Sequence, residues 1–94
     1  MRVLCLNCNR ASKRLSDEIM QKNSDIVLLQ EWISHKKDRS DEAQTILNSL
    51  GCVSATRYLV TASNQDHIIL HSSERFLITQ HDDLVVINTY FPAG

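Results

Sequence analysis

Three stretches, Ile26-Val27-Leu28-Leu29, Ile68-Ile69-Leu70 and Leu84-Val85-Val86-Ile87, are apolar at consecutive positions rather than at every second one. A strand with one wet face alternates apolar and polar residues, because successive side chains point to opposite sides. Unbroken runs of this kind predict strands covered on both faces. For a chain of 94 residues that is a severe demand. A domain of this size buries only about two-thirds of the surface its unfolded chain exposes.

Other periodicities supply part of the cover. The segment RVLCLNC, residues 2–8, reads as a first strand. Ala11, Leu15 and Ile19 then recur every fourth residue and give a helix one apolar face. A polar break at Asn23-Ser24-Asp25 introduces a second strand over 25–31. Ala43, Ile46, Leu47 and Leu50 lie at i, i+3, i+4 and i+7 and predict a second helix. Ser40 suits its N-cap, Asp41 and Glu42 the positive end of its dipole, and Gly51 its stop. Strands follow at 53–61, 67–72, 75–80 and 84–91. The expectation is a single domain over residues 1–94 of the α/β class, with β-α-β-α followed by strands. Its one mixed sheet would carry two helices on one face. The other face would stay bare, which predicts association through it with a second copy or a complementary chain.

A net charge of -1 excludes a whole-surface basic footprint, so any grip on phosphates must come from local clusters. No apolar run approaches the ~20 residues of a membrane span. The N-terminal MRVLCLNCNR lacks a signal-peptide cleavage pattern, and three cysteines do not make a secreted disulfide framework. These features point to the cytoplasm. Cys5 and Cys8 form a C-x-x-C, but strand residues three apart face opposite ways and no second pair completes a zinc site. Buried free thiols are the expectation.

Two strands joined by a crossover helix in one sheet normally run parallel. Asn7 and Glu31 would then share the carboxyl-terminal edge, where open α/β sheets build ligand sites. Arg10, Lys13 and Arg14 follow the first strand, and His35, Lys36, Lys37 and Arg39 follow the second. Carboxylate and amide oxygens hold a hard divalent ion while cations hold phosphates, so this pattern suits a phosphate ester. Asn9, Arg10, Lys13, Arg14, Lys36 and Lys37 are the candidate substrate contacts; the basic residues among them also read as ordinary solvated charges. Trp32 reads as a loop plug or as a stacking platform for a base. His67 and His71 would share a strand face, as a metal pair or as surface polar residues, and His81 reads as part of a turn before Asp82-Asp83.

Taken in order, MRVLCLNCNR, DIVLLQEW and LVVINTYFPAG resemble three successive landmarks of the endonuclease/exonuclease/phosphatase superfamily, the DNase-I-like enzymes. Asn7-Cys8-Asn9 is similar to the Asn-x-Asn or Asn-x-Asp that ends the family's first strand. Leu29-Gln30-Glu31 is similar to the Leu-Gln-Glu that ends its second, and Asn88-Thr89-Tyr90-Phe91-Pro92 to a later Asn-x-Tyr-x-Pro. The resemblance spans almost the whole chain and implies a Mg²⁺-dependent phosphodiesterase or nuclease. By it Glu31 is the metal ligand, with Asn7, and Asn9 beside it, supporting it next to the scissile phosphate. Asn88 and Tyr90 are expected to be structural. Arg10 stands where the family often has glycine.

The resemblance also implies only the first part of a four-layer α-β-β-α sandwich. The family's later Asp-x-Asn and Ser-Asp-His motifs do not occur in this sequence. Three readings follow. The chain is one piece of a split nuclease, a half-domain that pairs with its own copy, or a non-catalytic module that binds a nuclease or nucleic acid.

Overall fold

A computed structural model describes residues 1–9, 13–32, 49 and 51–91, the side chains of Lys13 and Ser16 excepted. Strand β1 (Val3–Asn7), helix α1 (Lys13–Gln21) and strand β2 (Ile26–Gln30) open the chain. Strands β3 (Cys52–Ala55), β4 (Leu59–Ser63), β5 (Ile68–Ser72), β6 (Phe76–His81) and β7 (Leu84–Thr89) follow.

The first unit is parallel, as a crossover helix requires. Val3 pairs with Ile26, and the register runs through to Asn7 opposite Gln30. A helix of nine residues is too short to persist alone in water, so packing must hold α1 in place. Its Ile19 is fully buried in a cluster with Val27, Leu29, Trp32, Val60 and Ala62, flanked by Leu4, Leu6, Leu15 and Val53. Alternate residues of β1, β2 and β4 serve this helix-side core.

The expected α/β architecture is overturned. Among the described residues seven strands accompany one short helix, and the strands form two sheets, so the protein is mostly β. The first sheet has the order β1-β2-β4-β3, with β4 antiparallel to both neighbours. The second is an antiparallel β5-β6-β7. The span 53–61, read from sequence as one strand, is two strands of a hairpin. Thr56 turns the chain, donating its backbone N–H to Leu59 O (2.8 Å) and accepting the Leu59 N–H at its hydroxyl (3.2 Å). The helix expected over 43–50 lies outside the described residues except at Ser49.

The expectation of a bare face on the first sheet also fails. The face opposite α1 is covered by the chain's own second sheet, in which β6 lies on β4 and β7 on both β2 and β4. The cause is local. Asp82-Asp83 forms a two-residue hairpin turn with Asp82 at φ +54°, so β6 and β7 pair with each other and fold back as a unit. The bare surface therefore moves outward. Ile26 to Leu29 are buried as predicted, but Ile68, Val85 and Ile87 are 61%, 50% and 57% exposed on the outer side of the second sheet. A bulge between Ile69 and His71 shifts the register, so His67 and His71 do not share a strand face. No helix among the described residues is long and apolar enough to cross a membrane.

Candidate active site at the carboxyl edge

Four segments converge where β1 and β2 end. β1 delivers Asn7, whose strand partner is Gln30, and Cys8 N–H extends the pairing by donating to Gln30 O at 2.9 Å. Glu31 is therefore the first residue past the paired ladder, on the same edge as Asn7. Because β4 runs antiparallel to β2 with Gln30 opposite Leu59, the turn before β4 also lands here. Glu31 N–H donates to Tyr58 O at 2.7 Å. The fourth segment is the end of β7, where Tyr90 N–H donates to Arg75 O at 3.0 Å.

Glu31 and Asn9 both adopt left-handed backbone, φ +57° and φ +61°. Such conformations are uncommon for residues with a Cβ and persist where surrounding bonds over-determine them. For Asn9 the bond is to the Asn7 side chain, whose Oδ1 accepts Asn9 N–H at 3.2 Å. For Glu31 the anchor is its backbone, held by Tyr58. The neighbouring Glu31 carboxylate, first as hydrogen-bonding partner and then, after burial, through its charge, pushes the Tyr90 phenol above its ordinary value.

The two tyrosines are stacked, with ring centroids 5.1 Å apart and planes 29° from parallel. The Arg57 guanidinium lies 5.1 Å from the Tyr58 ring centroid, and its ion pair with Glu74, 3.9 Å and well exposed, adds little to stability. Behind them, Asn88 ties the two sheets together. Gln30 Nε2 donates to Asn88 Oδ1 at 2.8 Å, and Asn88 Nδ2 donates to Val60 O (3.0 Å), Leu29 O (3.3 Å) and Thr61 Oγ1 (3.3 Å). Asn88 is thus structural, as expected. Tyr90 stacks on Tyr58 at the same edge.

Of the site residues read from sequence, the structure brings Asn7, Asn9 and Glu31 together at one edge. Arg14 follows on α1, highly exposed and 3.7 Å from Glu18. Lys13 opens α1, and Arg10, Lys36 and Lys37 lie outside the described residues. Trp32 is a plug, buried in the helix-side core. Tyr58, Arg57 and Arg75 were not singled out from the sequence, since reading 53–61 as one strand hides the turn that places the first two. Tyr90 did carry a signal. It lies two residues past Asn88, on the same side of its strand.

The expectation of buried thiols fails for Cys5, which is exposed, while Cys8 and Cys52 are half-buried. All three are free. Cys8 is pushed up to about 12, first by burial and then by its neighbours Cys5 and Glu31, so it is protonated at neutral pH and is no thiolate ligand. No group of three His, Cys, Asp or Glu residues suited to a metal occurs among the described residues.

At the opposite edge, the His67 ring bridges the Ser54 and Ser63 hydroxyls, Nε2 and Nδ1 each at 2.7 Å. The His81 ring lies 4.7 Å away, with its Nε2 2.7 Å from Thr79 Oγ1. Burial holds both imidazoles below their ordinary value; the His81 ring lowers His67 further, while Asp82 partly offsets the effect at His81. This neutral cluster joins the two sheets. Comparison of the chain with protein-family models, curated proteins and solved structures finds no match to any of them.

Proposed function

We propose that the carboxyl edge is part of a Mg²⁺-dependent phosphodiesterase site of the nuclease type, as the resemblance to the endonuclease/exonuclease/phosphatase superfamily implies. The observation that carries the reading is Glu31. A carboxylate at a strand tip, carried by a left-handed backbone position whose N–H is fixed on Tyr58 O at 2.7 Å, is a placed group. Asn7 and Asn9 add amide oxygens beside it, and Cys8 stays a thiol, so the donors are hard oxygens. One carboxylate with amides fits Mg²⁺, which keeps waters and takes substrate phosphates as its other ligands. Bound there, the ion supplies Lewis-acid polarisation of a phosphoryl oxygen. The chain's own residues hold and orient: Asn7 Oδ1 is engaged by Asn9 N–H, which leaves its amide N–H₂ to donate to a phosphate oxygen.

Proton transfer is the missing part. His67 and His81 stand at the other edge, and the superfamily's later Asp-x-Asn and Ser-Asp-His motifs do not occur in this sequence. Catalysis therefore requires a complementary half or a second copy, and the exposed apolar side of β5, β6 and β7 is the surface proposed for that association. With its partner, the protein should cleave plasmid or an abasic-site oligonucleotide in Mg²⁺, and Glu31→Gln should abolish cleavage. Cleavage unchanged by that substitution would overturn the reading. The same missing motifs favour a second reading, a non-catalytic module that binds a nuclease or nucleic acid. It predicts no cleavage, with association intact in Glu31→Gln.

A further inference from the structure

We propose that the outer face of β5, β6 and β7 binds a second copy of this chain, face to face, about a two-fold axis that crosses the strands. The inference goes beyond the phosphodiesterase reading, which leaves the partner open, and shares with it only the surface. Buried Leu77 and Thr79 turn one side of β6 toward the first sheet, so Phe76, Ile78 and Gln80 point away from it. The register sets Ile78 between His71 and Ile87, and Gln80 between Ile68 and Val85. Phe91 closes the far end, edge-on to Phe76 with ring centroids 5.9 Å apart.

The charge pattern selects the occupant. In a chain with 22% charged residues, the strands IILHS, FLITQH and LVVINT contain no Asp, Glu, Lys or Arg. Exposed edge strands of soluble proteins are normally protected by such charges. A contact between identical copies needs a surface complementary to itself, and an uncharged apolar face meets that condition without like-charge repulsion. Charges stand only at the ends of this sheet. Asp66, Asp82 and Asp83 lie at one end, and Arg75 lies at the other beside Glu74, which pairs with Arg57 at 3.9 Å. A two-fold that crosses the strands sets each acidic end over the partner's Arg75 end, whereas one along the strands sets acid over acid. The area is sufficient. Ile68, Phe76, Val85, Ile87 and Phe91 are between 37% and 68% exposed. At roughly 200 Å² for a large side chain, they present on the order of 550 Å² per copy, so a pair covers about 1,100 Å², just over the ~1,000 Å² that a specific interface clears. An interface at that limit gives a reversible dimer.

Sedimentation velocity of the full chain from about 5 to 500 µM tests the proposal, with a monomer–dimer equilibrium expected at a dissociation constant on the order of 10–100 µM. Ile87→Lys should raise that constant by at least about thirtyfold, because the two-fold places the substitution in the contact twice. Val85→Glu, on the next row of the same face, should do likewise. The fluorescence of Trp32, buried in the helix-side core away from this face, should show both variants folded. Glu31→Gln should leave the equilibrium unchanged. Wild type that stays monomeric at the highest concentration, or a dimer indifferent to both face variants, would overturn the inference and leave the site at Glu31 with a different protein as its partner. A dimer that forms as expected but supports no Mg²⁺-dependent cleavage would overturn the phosphodiesterase reading and leave the interface standing.

Discussion

Removing the Asn88 side chain should be the most damaging polar substitution in the described part of the molecule. Asn88 is 1% exposed between the sheets, and its amide satisfies Gln30, Leu29 O, Val60 O and Thr61 at once. Each such bond is worth about 0.5–1.5 kcal/mol net, and the cost rises when a buried partner is left unpaired. The two carbonyls keep a second lone pair, so the full sum is not reached. Asn88→Ala should cost about 2–4 kcal/mol, against a total stability of roughly 5–15 kcal/mol for a domain. That corresponds to a fall in Tm of roughly 10–25 °C. Urea unfolding followed by the fluorescence of Trp32, the single tryptophan and a buried one, would measure it. Asn88→Asp separates donation from shape. It keeps the volume but turns a carboxylate toward three acceptors, so it should be at least as damaging at pH 7. Burial would raise its folded-state pKa above the unfolded value, so stability should recover as pH falls toward about 4. A loss under about 0.5 kcal/mol for Ala, or an Asp variant as stable as wild type at pH 7, would refute the role of Asn88 as the tie between the sheets, since each lies below the worth of one such bond.

Three further outcomes are expected. Gly51 sits at φ +120°, and a Cβ there would lie 2.7 Å from Ser63 O, so Gly51→Ala should lose about 1–3 kcal/mol in the same urea assay; a neutral result would show that the backbone relaxes freely. His67 and His81 have folded-state pKa values depressed below the ordinary 6.5 by burial, so the unfolded chain binds more protons once pH drops past that value. Their contribution to stability is full above 6.5 and lost below it, and the urea midpoint at pH 5.5 should lie under that at pH 7.5 by more in wild type than in a His67→Gln, His81→Gln double variant; equal shifts would exclude the cluster as the cause. Cys8, held up at about 12, should react with a disulfide reagent at neutral pH more than about tenfold slower than exposed Cys5, as measured by mass spectrometry of the labelled peptides; equal rates would contradict the burial of its thiol.

The carboxyl edge was legible from sequence, and the architecture around it was not. The β1-α1-β2 unit announces itself because each element has its own period and the crossover fixes the strands as parallel. That alone suffices to bring Asn7 next to Glu31. The second sheet was hidden by the pattern that suggested a large buried one. Ile68 to Leu70 and Leu84 to Ile87 are apolar on both sides, which reads as burial, but in the folded chain every residue of β5 is exposed, and of the β7 run only Val86 is half-buried. Sequence reports that a strand wants cover and says nothing about whether its own chain provides it. The hairpin at 56–58 was missed for a similar reason. Thr56-Arg57-Tyr58 contains neither Gly nor Pro, and the turn is closed by a threonine hydroxyl.

What joins fold to site is the order of contacts along β7. Asn88 reaches Gln30, and two residues further Tyr90 stacks on Tyr58, whose carbonyl holds the Glu31 backbone, so the end of β7 meets the end of β2 directly and then through Tyr58. The first contact is buried, the second half-exposed. The layer between the sheets is unusually polar for so small a core, with Ser54, Thr61, Ser63, Thr79 and Asn88 all buried, yet no buried side-chain polar atom among the described residues lacks a partner. Apolar layers tolerate sliding, whereas a fully paired polar layer permits one register, because a shift strands its donors at a cost of about 1–3 kcal/mol each. The polar layer therefore does more than stabilise. It fixes where β7 lies on β2, and with it the Tyr90 ring against Tyr58, whose carbonyl holds Glu31.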